Sequence, residues 1–261
     1  MRLPINLLSL SLLGHQLLTA QQTGRMETDR PDQTESPYLT KKMYLQGEIG
    51  FNYEKADGKT NWIHPTALWK YGLNDRFEFR LITELQTVPE LTVGTNPPVT
   101  KRVTGMLPIQ VGGKLTLCEE VGLIPKTSLI AHTALPNWGG NYSQHPKWAP
   151  NFRFTMQNTL SDRAALGYNL GAEWDGFTNT PDWIYTFAPG YNLGANGYAY
   201  VELYGSLRKG SSPQHSIAGG IAYYFTDDTK IDFSGSYGLT PAANDYYLAV
   251  GFSFRTPTKK K

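Results

Sequence analysis

The residues best able to do chemistry are few and poorly grouped. Beyond position 20 the chain has four histidines, His64, His132, His145 and His215, none two or four positions from another. No cysteine or carboxylate joins them at ligand spacing, so no metal centre and no cofactor is expected. Ser143 stands two positions before His145, with Asn141 and Asn151 nearby. A hydroxyl nucleophile, an imidazole base and an amide can together run acyl transfer, whatever their order in the chain. The flanking Gly and Pro place this group in a loop, and a glycine-flanked nucleophile elbow is absent. Cys118 is followed by Glu119 and Glu120, whose charge disfavours a thiolate, and it reads as an unreactive thiol. A single cysteine also excludes an internal disulfide or a cysteine-rich zinc site.

Charged side chains carry more information, because they recur at every second position between large apolar ones. From Arg76 to Gln86, Phe77, Phe79, Leu81, Thr83 and Leu85 share one face, while Arg76, Glu78, Arg80, Ile82, Glu84 and Gln86 share the other. That period of two belongs to a strand. Near the C-terminus Tyr246, Leu248, Val250, Phe252 and Phe254 repeat it against Tyr247, Ala249, Gly251, Ser253 and Arg255. Similar faces occur at Met43–Tyr53, Ile63–Tyr71, Leu107–Leu117, Phe152–Leu160, Leu166–Trp174, Trp183–Leu193, Ala199–Leu207, Ile217–Phe225 and Ile231–Tyr237. Leu123–Ala134 adds a strand whose phase the pattern leaves open. The total is about 12 strands, most of them of the ~9–11 residues that cross a bilayer when tilted. Short polar turns such as Gly72–Asp75 and Thr226–Thr229 alternate with longer links such as Val88–Arg102 and Pro136–Pro150.

These features predict an all-β fold, an antiparallel up-and-down transmembrane β-barrel with an N-terminal plug-like segment. The large apolar face is continuous in nearly every strand, and the opposite face mixes small, aromatic and charged groups. A soluble sandwich would place its large residues inside and its charges outside. Trp62, Tyr71, Trp174, Trp183, Tyr198 and Tyr246 stand near strand ends, as interfacial girdles do. Inward positions fall to the charges Glu48, Lys70, Arg76, Glu78, Arg80, Glu84 and Lys114, and to Tyr200, Tyr204, Tyr224 and Tyr247.

Composition agrees. Of 261 residues 13% are aromatic and 18% charged, with 26 Gly, and the mean hydropathy of −0.39 does not argue against a barrel, whose strands alternate. The net charge of +2 is no footprint for nucleic acid, and Arg2 and Lys259–Lys261 account for the excess. Met1–Arg2, a mostly apolar run and Ala20 before Gln21–Gln22 predict a signal peptide over 1–20. A polar segment over 21–41, a barrel over 42–255 and a basic tail over 256–261 would follow.

The polar segment includes Glu27-Thr28-Asp29-Arg30-Pro31-Asp32-Gln33-Thr34-Glu35-Ser36-Pro37, which its prolines keep from regular structure. This block, followed by Gln46-Gly47-Glu48-Ile49-Gly50-Phe51, resembles the outer-membrane transporter family labelled for the MetA (meta-cleavage) pathway of phenol degradation. Ala134-Leu135-Pro136 and the closing Val250–Arg255 are weaker echoes, and the resemblance spans residues 27 to 255. It implies an outer-membrane barrel that transports small, including aromatic, organic molecules.

The functional expectation is an exported outer-membrane channel passing such solutes by passive diffusion, with membrane lipid and a small-molecule solute as its partners. No nucleic-acid partner or enzymatic activity is expected. Asp29, Arg30, Asp32 and Glu35 are the candidate plug or gating residues, positioned to meet the inward charges. An outer-membrane barrel enzyme of phospholipase type using Ser143 and His145 is the alternative, and a structural or binding surface barrel is the third.

Overall fold

The computed structural model describes residues 24–56, 58–92, 99–140 and 145–258. The expected signal peptide, Asn141, Ser143 and the three terminal lysines lie outside the described residues. Thirteen strands run through the described chain: β1 (Tyr44–Ala56), β2 (Lys59–Gly72), β3 (Phe77–Thr92), β4 (Val99–Met106), β5 (Gln110–Cys118), β6 (Lys126–Ala134) and β7 (Ala149–Thr159). They continue with β8 (Ala164–Glu173), β9 (Asp182–Leu193), β10 (Gly197–Arg208), β11 (Gln214–Thr226), β12 (Thr229–Gly238) and β13 (Tyr246–Pro257).

All pairings are antiparallel, and β1 pairs with β13 to close the ring. One stave is split: Leu85–Thr92 of β3 pairs with β4, whereas Phe77–Ile82 pairs with β5. Thus β4 and β5 lie end to end along one edge of β3, and thirteen strands build twelve staves. The expected loop over Val88–Arg102 is largely strand, because β3 continues to Thr92 and β4 starts at Val99. Pro89 and the run Thr100-Lys101-Arg102 hide that hairpin from any apolar alternation. In β6 the phase left open resolves with Lys126, Ser128, Ile130 and His132 inward, while Leu123 and Ile124 sit in the exposed turn before it.

Burial is inverted relative to a water-soluble fold. Lys70, Lys114, Lys230, Glu48, Glu78 and Glu202 are less than 2% exposed, yet Phe79 is 50% and Phe252 45% exposed. Water would drive those rings inside and the charges out. The arrangement is stable when hydrocarbon solvates the outer face and ring closure pairs the backbone groups, each of which would otherwise cost several kcal/mol in lipid. The inward positions of Tyr200, Tyr224 and Tyr247 follow the expected alternation, and each is at least nine-tenths buried.

Two positions depart from it. Arg76 is exposed in the turn before β3 and is not a lumen charge; the strand begins one residue later, and Asn74 Oδ1 accepts the Arg76 amide at 2.8 Å. Tyr198 shares the inward face of β10 with Tyr200, its ring stacked 6.3 Å away, so it is not a girdle residue. The rim that carries both barrel ends also carries short turns, as between β9 and β10, where Gly194 adopts a φ of 71°. The opposite rim carries the longer links β6–β7, β8–β9 and β12–β13.

Candidate functional site

Residues 24–43 do not trail from the barrel but run inside it. At the short-turn rim Met26 N donates to Asp227 O (2.8 Å), and Arg25 donates to Asn192 Oδ1 (2.8 Å) with its guanidinium 4.1 Å from the centre of the Tyr224 ring. With two prolines in the block, the backbone forms no ladder, so its amides and carbonyls need side-chain partners from the wall. Glu48 Oε2 accepts the amides of Asp29 (2.9 Å) and Arg30 (3.1 Å). Glu202 accepts the Gln33 amide (2.9 Å) and the Thr34 hydroxyl (2.6 Å), and Asn169 exchanges hydrogen bonds with the Glu35 backbone. Ser128 donates to Pro37 O, Tyr200 to Pro31 O, and Glu78 accepts the Thr40 amide. Partners therefore come from opposite sides of the ring.

Asp29 is the most heavily bonded residue of the segment. Its carboxylate receives Lys70 Nζ at 3.0 Å, Arg80 Nη1 at 2.9 Å and Lys114 Nζ at 3.1 Å, from three neighbouring staves. Burial alone would raise this carboxyl's pKa; the combined fields of Lys114, Lys70 and Arg80 outweigh it and hold the group well below the usual range. Glu35 extends the cluster, 2.7 Å from Arg80 and 3.5 Å from Arg153.

Arg30 goes to the other wall. Its Nη2 lies 3.2 Å from Asp232, and the guanidinium lies over Gly50 and Gly251, which are register partners on β1 and β13. A Cβ on either glycine would collide with the guanidinium. The two glycines thus floor a recess cut to a flat cation. Asp32 differs from Asp29: burial, then the neighbouring Glu202, push its carboxyl well above the aspartate value of 3.8. Beside it a polar void of about 130 Å³ is lined by Glu27, Tyr198, Tyr224 and Asn192 among others.

A family model described as "Putative MetA-pathway of phenol degradation" matches residues 28–256, which is nearly the whole described chain. The chain belongs to this family. Solved structures share the fold of this phenol-degradation family member at low identity. The COG4313 outer membrane channel from Pseudomonas putida F1 is 12% identical, with 88% of this chain and 100% of that chain covered and a TM-score of 0.61. The NanC porin is 8% identical over 80% of this chain and 98% of its own, with a TM-score of 0.51. A sequence search of curated proteins returned no match.

Within the family member, Glu48, Lys70, Glu78, Arg80 and Lys114 converge around the segment as the alternation placed them. Glu84 stands further along β3, opposite Thr66 of β2. Among the wall charges that touch the segment and escaped sequence reasoning are Arg153, Glu202, Lys230 and Asp232. A signal was present in three of these four, since Arg153, Glu202 and Asp232 each stand between two outward apolar residues, as Asp232 does between Ile231 and Phe233. His145 is buried in the β6–β7 link, its Nδ1 2.5 Å from Lys147 O and its ring beside Phe177, which ties that link to the next. Tyr204 lies on the inward face of β10 with Glu202.

Proposed function

We propose that this protein is an exported outer-membrane channel through which small organic solutes, aromatic ones included, diffuse passively. Residues 24–43 narrow its lumen, with Asp29, Arg30, Asp32 and Glu35 as the residues that hold them there. The observation that carries the reading is the closed ring of twelve staves with apolar side chains outside and an ionised, segment-filled interior. Such a ring isolates a polar path from hydrocarbon. Inward Tyr200, Tyr204, Tyr224 and Tyr247 offer flat faces for apolar contact while the charges keep the path wet. Membership of a phenol-degradation family supports an aromatic solute. The contact of His145 Nδ1 with Lys147 O and that of its ring with Phe177 support a loop-fastening role for it.

Liposome swelling with small neutral solutes tests the channel itself, and no swelling would overturn it. Deletion of residues 27–37 is expected to raise single-channel conductance in planar bilayers several-fold. Unchanged conductance would remove the segment from the mechanism. Lipase turnover abolished by Ser143→Ala would favour the enzymatic reading instead.

A further inference from the structure

The wall around Asp29 is unbalanced without it. Lys70, Arg80 and Lys114 are each no more than 3% exposed. The wall acids in contact with them are Glu48, 2.6 Å from Lys70, and Glu78, 3.4 Å from Arg80 and 3.8 Å from Lys114. Three cations face two wall carboxylates, and the segment supplies the remaining anions: Asp29 to all three cations, and Glu35, 2.7 Å from Arg80 and 3.5 Å from Arg153. A bare charge in such a confined place is costly, so whatever replaces Asp29 there carries a negative charge.

The geometry selects among anions. Asp29 Oδ2 takes Lys70 and Arg80, Lys114 reaches both oxygens, 3.1 Å from Oδ1 and 3.4 Å from Oδ2, and Oδ1 also accepts the Ser36 amide. Two oxygens about one carbon serve cations on two sides at once. Three charged nitrogens from three residues make charge-assisted hydrogen bonds to the one carboxylate, while the second nitrogen of Arg80 goes to Glu35. Asp29 fills this place as a single carboxylate, so a monocarboxylate fits it, and a second carboxylate would face Glu48 and Glu78.

We propose that Lys70, Arg80 and Lys114 form a carboxylate-binding site of the pore, that Asp29 is its tethered occupant, and that small monocarboxylates displace Asp29 and pass. This inference rests on the channel reading and on the segment's narrowing of the lumen. A solute carboxylate and Asp29 compete for the same donors, so the solute itself loosens the segment.

The test uses the full chain in planar bilayers with three probes of similar size: benzoate, neutral benzyl alcohol and cationic benzylamine. Benzoate alone is expected to raise the fraction of time in the high-conductance state. Asp29→Asn should lower the benzoate concentration for half-effect about tenfold. In the 27–37 deletion variant, benzoate should permeate about tenfold better than in the same variant carrying Lys114→Gln. Heat-modifiable gel migration verifies that each variant retains a folded barrel. If deletion raises conductance but benzoate and benzyl alcohol act alike, the carboxylate site is wrong and the segment's role stands. If deletion changes nothing, the segment reading fails and this inference falls with it.

Discussion

The two walls that grip the N-terminal segment do so by different physics. On β2, β3 and β5 three cations surround the Asp29 carboxylate, with Glu48 and Glu78 between them. On β13, β1 and β12 two facing glycines make room for the Arg30 guanidinium, and only Asp232 pairs with it at 3.2 Å. One wall holds by charge, the other by shape. Charge tolerates small displacements, because Coulomb attraction falls slowly with distance. A recess floored by glycines is set by contact, and a methyl group on either glycine would displace the guanidinium.

The sharpest way to break the comparison is Asp29→Ala. Removing one partner from a buried ionic cluster costs about 3–5 kcal/mol, since the remaining cations stay desolvated. The segment should then be undocked most of the time, read as a dominant high-conductance state. Gly251→Ala attacks the other wall without removing a charge, since the added methyl would press on the Arg30 guanidinium and the Asp232 carboxylate. Overfilling a packed site costs about 1–3 kcal/mol, so the open fraction should rise by roughly one to two decades. If Gly251→Ala proved silent, shape would have no part in holding Arg30.

Acidity provides a gentler probe. The pKa of Asp32 is raised inside the barrel relative to the free segment, so its protonation favours docking. That contribution is fully present below about 3.8 and is lost as pH rises through the higher docked value. Asp29 has the opposite sign, and its contribution fails only well below the usual carboxylate range. Mild acidification should therefore lower conductance, and Asp32→Asn should flatten that dependence; a rise in conductance over the same range would contradict it. The smallest effect is expected at the long-loop rim, where Arg208 lies 2.6 Å from Asp182 and 3.0 Å from Asp175. Backbone amides of Thr178 and Phe177, with Arg208, already hold the Asp175 carboxyl near 2. Pairs this close to solvent contribute ~0–1 kcal/mol, so Arg208→Gln should leave heat-modifiable migration unchanged.

Much of this was legible in the order of the residues. Alternation alone placed Phe77, Phe79 and Phe252 on the lipid side and Glu48, Lys70, Arg80 and Lys114 inside, because a pleat gives each residue one of two faces. It also marked residues 27–37 as a segment able to meet those charges. Alternation does not show which inward residues stand side by side, since that depends on register. The pairing of Gly50 with Gly251 joins the first and last strands across about two hundred residues, and no local pattern announces it. Arg76 was misplaced for a related reason: a period of two extrapolates past the point where a turn ends it.

Because the segment's partners stand on both sides of the β1–β13 seam, its docking has an implied place in biogenesis. Glu48 and Asp232 become near neighbours only when the first and last strands meet, so the Asp29–Arg30 pair finds both its seats only in a closed ring. A segment seated on both is therefore a mark of a closed ring.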